Sequence, residues 1–313
     1  MKALVYRGPG KIDVEDTSRP SLLSPTDAIV KLRFSTICGT DLHILKGDVP
    51  EVAPGTVLGH EGVGIIEEAG VGVTKFRPGD QVLISCISAC GLCAPCRKGM
   101  SSHCETGGWV LGHTEDGTQA EYVRISHAES SLYKIPGTVD PASAVMLSDI
   151  FPTAYECGVL NGKIQPGSTV AIIGSGPIGL AALLTANLLS PSWVLVIDPD
   201  SNRLKVAKDL GADHTSEPSA ALQTVRELTN GQGCDTVIEA VGIPETFVQC
   251  QDLVAPGGVI ANIGVHGSKA DLHLEKLWAA NICESNTDIL KTMRSRLQQS
   301  LLVWLIQRPL QLF

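Results

Sequence analysis

Four cysteines in one short stretch, Cys90, Cys93, Cys96 and Cys104, follow the spacing C-x2-C-x2-C-x7-C. Four soft thiolates at that spacing make a tetrahedral cage that satisfies zinc completely and leaves no open coordination position. The site is therefore expected to be structural, contributing folding free energy to a loop that has no core of its own. Disulfides are the alternative reading, but the first three cysteines stand three residues apart and no secretory signal precedes them. His103, next to the last ligand, reads as an exposed neighbour because the tetrahedral set is already complete.

A chain of 313 residues exceeds one ordinary core, so two domains are expected. The net charge of -9, without any cluster of Lys or Arg, argues against nucleic acid and anionic membrane surfaces as partners. The start Met1-Lys-Ala-Leu-Val-Tyr-Arg-Gly reads as a strand and turn, and no apolar run reaches the roughly 18 residues of a membrane span. A cytoplasmic, reducing location is the expectation, in which the ten cysteines serve as thiols and metal ligands.

The fold class expected is α/β in two parts. Over residues 1–150, short β-branched runs such as Ala28–Phe34, Gly62–Glu67 and Gln81–Ser85 alternate with turns such as Arg77-Pro-Gly-Asp80, which reads as an irregular β-barrel. Over residues 151–285, strands alternate with helical patterns, which implies a doubly wound parallel sheet. The clearest unit is a strand at Thr169–Ile173, a glycine turn, and an apolar helix through Leu189.

That turn carries Gly174, Gly176 and Gly179 as G-x-G-x-x-G, with Pro177 and Ile178 opening the helix. Such a turn brings backbone amides at a helix N-terminus up to a pyrophosphate, and proline at the first helical position loses nothing by lacking an N–H. Three glycines alone are a weak signal; here a second strand, Trp193–Ile197, ends at Asp198, 19 residues after Gly179. A carboxylate there accepts from ribose hydroxyls and repels a 2'-phosphate, which favours NAD over NADP. Arg203 reads as a solvated or adenine-stacking cation, with phosphate pairing as the alternative. Strands at Asp235–Val241 and Gly258–Ile263 bring Val241, Gly242, Ile263 and Gly264 to the carboxyl edge as candidate nicotinamide neighbours.

A second set of ligand types is scattered: Cys38 in Cys38-Gly-Thr-Asp-Leu-His43, His60 in Gly59-His-Glu-Gly62, and Asp149 in Leu147-Ser-Asp-Ile-Phe151. Each alone is ambiguous, since a lone cysteine usually fills space and a lone histidine is usually a satisfied surface group. The run Gly59-His-Glu-Gly-Val-Gly-Ile-Ile-Glu-Glu-Ala-Gly-Val-Gly-Val73, together with the four-cysteine lobe and the later glycine fingerprint, resembles the zinc-containing medium-chain alcohol dehydrogenases. The resemblance covers residues 1 to about 283.

The resemblance implies a GroES-like catalytic domain, a Rossmann domain and an active site in the cleft between them. By motif, Cys38, His60 and Asp149 resemble the catalytic zinc ligands, Asp149 marking the subgroup with aspartate in third place. Glu61 resembles a carboxylate that enters the coordination sphere transiently; an exposed structural carboxylate is its other reading. Thr40 resembles the hydroxyl that bonds the alcohol, and His43 the outer end of a proton relay. The implied cofactors are zinc, one catalytic and one structural, and NAD. The implied reaction interconverts a small-molecule alcohol with its aldehyde or ketone. Trp109, Leu58 and Phe151 read equally as pocket lining or core. After Asn281-Ile-Cys-Glu-Ser285 the resemblance falls away, and 286–313 reads as an atypical tail that leaves any homo-oligomer interface altered. The alternative function is a truncated, catalytically silent protein that binds nucleotide or partners through the same fold; a zinc-free quinone reductase is disfavoured because it lacks both ligand sets.

Overall fold

The two periodicities of the sequence become two kinds of sheet. The structure, a computed structural model, describes residues 1–286; the tail expected at 286–313 lies, apart from its first residue, outside them. Met1–Asp149 gathers into one unit and the described residues from Ile150 onward into another.

In the first unit, β1 (Lys2–Gly8) and β2 (Lys11–Asp16) form an antiparallel hairpin. The strands β3 (Ala28–Ser35), β4 (Gly62–Ala69), β5 (Gln81–Ile84), β6 (Tyr122–Ile125) and β7 (Leu132–Lys134) make an antiparallel sheet in the order β6-β3-β4-β5-β7. Alternate side chains such as Ala28, Val30, Val82, Ile84, Val123 and Ile125 point into one core, the period-two pattern of a sheet with one covered face. Gly64 is required by close strand approach, because a Cβ there would stand 2.4 Å from the Lys31 carbonyl oxygen. The chain between β3 and β4 carries the helix Gly39–Lys46, with Cys38 at its N-cap.

The second unit is a parallel sheet of β8 (Thr169–Ile173), β9 (Trp193–Ile197), β10 (His214–Ser216), β11 (Cys234–Glu239), β12 (Val254–Asn262) and β13 (Cys283–Asn286), in the order β10-β9-β8-β11-β12-β13. Helices Pro177–Ala186, Ser201–Asp209, Ala221–Leu228 and Pro244–Leu253 connect them. Strand order reverses between β8 and β11, which opens a crevice at their carboxyl ends. Near-continuous Val and Ile runs suit strands covered on both faces, and Val194–Ile197 is fully buried. The apolar segment expected as one helix through Leu189 ends its α-helical part at Ala186 and tightens into a 3-10 turn over Asn187–Leu189. A wide helical turn at Ala154–Leu160 was not legible in the sequence; Gly158 lets it pack closely, since a Cβ there would meet Ile263 Cδ1 at 2.7 Å. No helix among the described residues is long and apolar enough to cross a membrane.

The sheet core sets one expectation. Leu195 is fully buried in β9 among Ile173, Ile197, Val237 and Ile260, so Leu195→Ala should destabilise the second unit by about 2–5 kcal/mol. Exposed Val14 on β2 should tolerate alanine to within about 0.5 kcal/mol. Denaturant midpoints of the two variants check the contrast.

Candidate active site

The four-cysteine lobe forms around two short helical turns, Ala94–Arg97 and the 3-10 turn Ser101–His103, between irregular loops. The sulfurs of Cys90, Cys93, Cys96 and Cys104 all lie within 4.8 Å of one another. Backbone amides of Leu92 and Cys93 donate to Cys90 Sγ at 3.4 and 3.3 Å, and the Cys90 amide donates to Cys104 Sγ at 3.2 Å. Those amide bonds hold the Cys90 thiol down at about 6, whereas burial and its thiol neighbours push Cys96 up to about 12. Four thiols this close cannot all ionise without a counter-charge, and a divalent cation removes the conflict. The donor set fits zinc.

The second cluster is assembled from distant segments. Cys38 caps the helix Gly39–Lys46; its amide donates to Asp41 Oδ2 at 2.8 Å, and Gln119 Nε2 bridges Asp41 Oδ2 (2.9 Å) and the Thr36 carbonyl (3.0 Å). His60 and Glu61 precede β4, while Asp149 ends the first unit. One ligand atom from each of Cys38, His60, Glu61 and Asp149 lies within 4.8 Å of the others. His60 Nε2 is 3.2 Å from Asp149 Oδ2 and 3.8 Å from Glu61 Oε1. Burial lowers the proton affinity of His60, but its bonds to Asp149 and Cys38 outweigh burial and leave it well above the usual histidine range. Burial, then the charge of Asp149, pushes Glu61 up to about 7. Both Glu61 oxygens are buried with no hydrogen-bond partner among the described residues, at 1% exposure of the residue. Buried carboxylates without partners are costly, and a bound cation is the remedy this donor set fits. Cys38, His60 and Asp149 offer sulfur, nitrogen and oxygen, the mixed three-ligand pattern that leaves a position open on zinc.

Of the other residues expected here, Thr40 Oγ1 lies 3.7 Å from Cys38 Sγ. His43 Nδ1 lies 2.9 Å from Asp48 Oδ2. Trp109 stands edge-on to His60 at 6.3 Å and stacks on His113 at 4.3 Å, while Leu58 is buried with Tyr6, Ile44 and Val52, and Phe151 is buried. Sequence reasoning missed Cys86, a buried thiol whose proton is held by burial and by nearby Asp149 and Glu61. It also missed Asp41, Gln119 and Ser148. Only Asp41 had a local signal, its third place in the capping box of the helix.

In the second unit a cavity of about 610 Å³ opens at the carboxyl ends of the strands, lined by Gly174, Gly176, Pro177, Asp198, Arg203 and Val241 among others. Gly174 has φ +98°, and a Cβ on Gly179 would fall 1.9 Å from the Gly174 carbonyl oxygen, so the turn needs both glycines. A Cβ on Gly176 would meet nothing within 4 Å, leaving the N-terminus of the helix Pro177–Ala186 open to a phosphate. Asp198 is buried, with Oδ2 accepting from the Ser175 amide at 2.8 Å and Oδ1 from the Asp200 amide at 2.9 Å; Arg203 Nη1 lies 3.9 Å from Oδ2. Two acceptor lone pairs remain for ribose hydroxyls. The cradle fits a dinucleotide. Ile178, Gly179, Ile263 and Gly264 are not among the lining residues; Ile263 is buried, and Gly264 sits against Glu239, whose Oε2 a Cβ would approach to 2.2 Å. Lining residues that the sequence did not single out include Pro199, Pro218, Ile243, Glu245, Thr246 and Gln249.

Comparison with known proteins agrees with this geometry. Residues 24–137 match the alcohol dehydrogenase GroES-like domain and residues 177–303 the zinc-binding dehydrogenase family. The chain is 37% identical over 290 residues to Zinc-type alcohol dehydrogenase B of Aspergillus flavus, covering 90% of this chain and 66% of that protein. It is 37% identical over 292 residues to an alcohol dehydrogenase of Cupriavidus necator, covering 88% of this chain and 79% of that one. Zinc dependent alcohol dehydrogenase 2 from Streptococcus pneumonia, in its apo form, matches with a TM-score of 0.93 at 48% identity, over 99% of this chain and 88% of that one. A zinc-binding dehydrogenase target from Sinorhizobium meliloti bound to NADP matches with a TM-score of 0.85 at 30% identity, over 97% and 89%. Fold and ligand clusters together define the class of zinc-binding dehydrogenases. Within that class the chain belongs to the zinc-type alcohol dehydrogenase family, oxidoreductases of alcohols.

The raised Glu61 proton affinity has a signed consequence for the metal-free protein. The folded state holds this proton between the ordinary 4.5 and about 7, so the stability it contributes is complete below that window and is lost as pH rises through it. His60, also raised, loses its contribution in the same direction at higher pH. Thermal melts of chelator-treated protein should fall as pH increases from 4.5 to 7, and Glu61→Gln should flatten that slope; equal slopes for both proteins would contradict the assignment.

Proposed function

We propose that this chain is a zinc- and NAD-dependent dehydrogenase of small alcohols, with zinc held by Cys38, His60 and Asp149 and a second, structural zinc by Cys90, Cys93, Cys96 and Cys104. The observation that carries the reading is the convergence of a thiol, an imidazole and two carboxylates within 4.8 Å in a partly buried site, together with a separate four-thiol cluster. When bound, zinc would supply the Lewis acidity that lets an alcohol hydroxyl lose its proton near neutral pH, and an oxidised nicotinamide would supply the hydride acceptor.

The chain's own groups position these partners and move the proton. Thr40, beside Cys38, would take the hydroxyl proton while passing its own outward, and His43, oriented by Asp48, offers a partly exposed imidazole as the outer station toward solvent. Glu61, buried and 3.8 Å from His60 Nε2 with no hydrogen-bond partner among the described residues, holds negative charge or a proton close to the ligands and so tunes the charge of the site. Asp198 supports NAD over NADP, since its buried carboxylate would face a 2'-phosphate with like charge. Arg203, 3.9 Å away, already serves that carboxylate. A cytoplasmic setting suits six reduced cysteines acting as metal ligands or as their buried neighbours.

The experiment is NADH formation from a panel of primary and secondary alcohols. Thr40→Ala should lower kcat by about 10²–10⁴-fold with Thr40→Ser largely restoring it. Asp198→Ala should narrow the ratio of kcat/KM for NAD over NADP. Wild-type protein that carries zinc in the lobe alone and oxidises no alcohol would sink the reading.

A further inference from the structure

Asp149 has no long element to hold it. It follows a 3-10 turn at Val145–Leu147 and precedes the four-residue helix Ile150–Thr153, yet its carboxylate must meet His60 from 89 residues away. The tie is the residue before it. Ser148 is fully buried, and its hydroxyl makes two bonds to one residue of β4: it accepts from the Gly62 amide at 3.1 Å and donates to the Gly62 carbonyl at 3.3 Å. Its own carbonyl accepts from the Cys86 amide at 3.2 Å, just past the end of β5.

Gly62 cannot shift to accommodate a loose partner. It pairs with Ile84 of β5, and a Cβ at this position would already crowd Leu32, Thr118 and Ile84 at 3.2–3.3 Å. On the other side, Ser35 and Thr118 hydroxyls donate to the Glu61 carbonyl at 3.0 and 2.7 Å. The backbone carrying His60 and Glu61 is therefore rigidly held, and Ser148 is the clasp that registers Asp149 against it. We propose that Ser148 is a positioning residue of the metal site, fixing where the Asp149 carboxylate stands relative to His60 through its paired bonds to Gly62. Partners that orient a ligand in this way commonly govern metal affinity by about 10- to 100-fold.

The inference rests on the reading of Cys38, His60 and Asp149 as metal ligands, and the test separates the two. Metal-depleted full-length chain is titrated with Co2+, the four-thiolate lobe serving as internal reference through its intense sulfur-to-cobalt bands. Ser148→Ala is expected to weaken cobalt binding at the mixed-ligand site about 10- to 100-fold and to change its visible d–d bands, with the lobe unaffected. Ser148→Thr, which keeps the hydroxyl, should restore both even where it lowers thermal stability. If Ser148→Ala loses stability but binds cobalt at both sites like the wild type, the role is merely structural and the inference fails. Should that variant not fold, Ser148→Cys, close in size with a weak donor, takes its place with the same outcomes. Asp149→Ala losing one cobalt while Ser148→Ala binds cobalt at the mixed-ligand site with wild-type affinity and bands would overturn this inference alone; Asp149→Ala losing none would overturn the metal reading beneath it.

Discussion

A carboxylate whose two oxygens lack a hydrogen-bond partner among the described residues, a second carboxylate, an imidazole and a thiol are packed together, His60 and Glu61 buried and Cys38 and Asp149 partly so. This crowding of like and unlike charge is the constraint on which the first unit depends. Burial and the charge of Asp149 make Glu61 hold its proton more tightly; His60 is drawn toward its charged form by Asp149 and Cys38 against the opposing effect of burial. A divalent cation satisfies all four groups at once, which no rearrangement of protons does. Around the cluster the backbone is fixed by short polar bonds: Asp41 and Gln119 hold the Cys38 turn, Ser35 and Thr118 hold the Glu61 carbonyl, and Ser148 ties Gly62 to the Asp149 segment. The sheet β6-β3-β4-β5-β7 supplies the frame from which these bonds reach.

The second unit solves a different problem by different means. Its ligand site is built mainly from backbone, with Gly174 and Gly179 shaping the turn and Gly176 leaving the helix N-terminus uncovered. Asp198 both buttresses that turn, through the Ser175 amide, and presents acceptor capacity toward the cavity. One buried carboxylate thus links loop shape to the acceptor groups that face the cavity, whereas in the first unit carboxylates gather beside a thiol and an imidazole.

What the sequence made legible was what is local along the chain. The four-cysteine lobe spans Cys90–Cys104, and its ligand spacing is its structure; the glycine turn and the strand ending at Asp198 are likewise a single contiguous unit. Cys38, His60 and Asp149 are far apart in the chain, so residue chemistry alone left each ambiguous and only the family resemblance joined them; the structure brings their ligand atoms together. Ser148, Gln119 and Cys86 carried no signal because their roles exist only once β4, β5 and the Asp149 segment are adjacent. Ile263 and Gly264 were drawn to the cavity by their place at a strand end, but burial of the one and the contact of the other with Glu239 decide their surroundings. The wide turn at Ala154–Leu160 escaped notice because its apolar pattern is compatible with an ordinary helix.

The central claim is that the buried mixed-ligand cluster exists to hold a divalent metal. Anomalous diffraction at the zinc absorption edge from crystals of the purified chain tests it most directly. The account predicts two zinc peaks per chain, one surrounded by the sulfurs of Cys90, Cys93, Cys96 and Cys104 and the other between Cys38, His60 and Asp149. A peak in the lobe alone, with Glu61 and Asp149 accommodated by protons or water at full zinc supply, would contradict it.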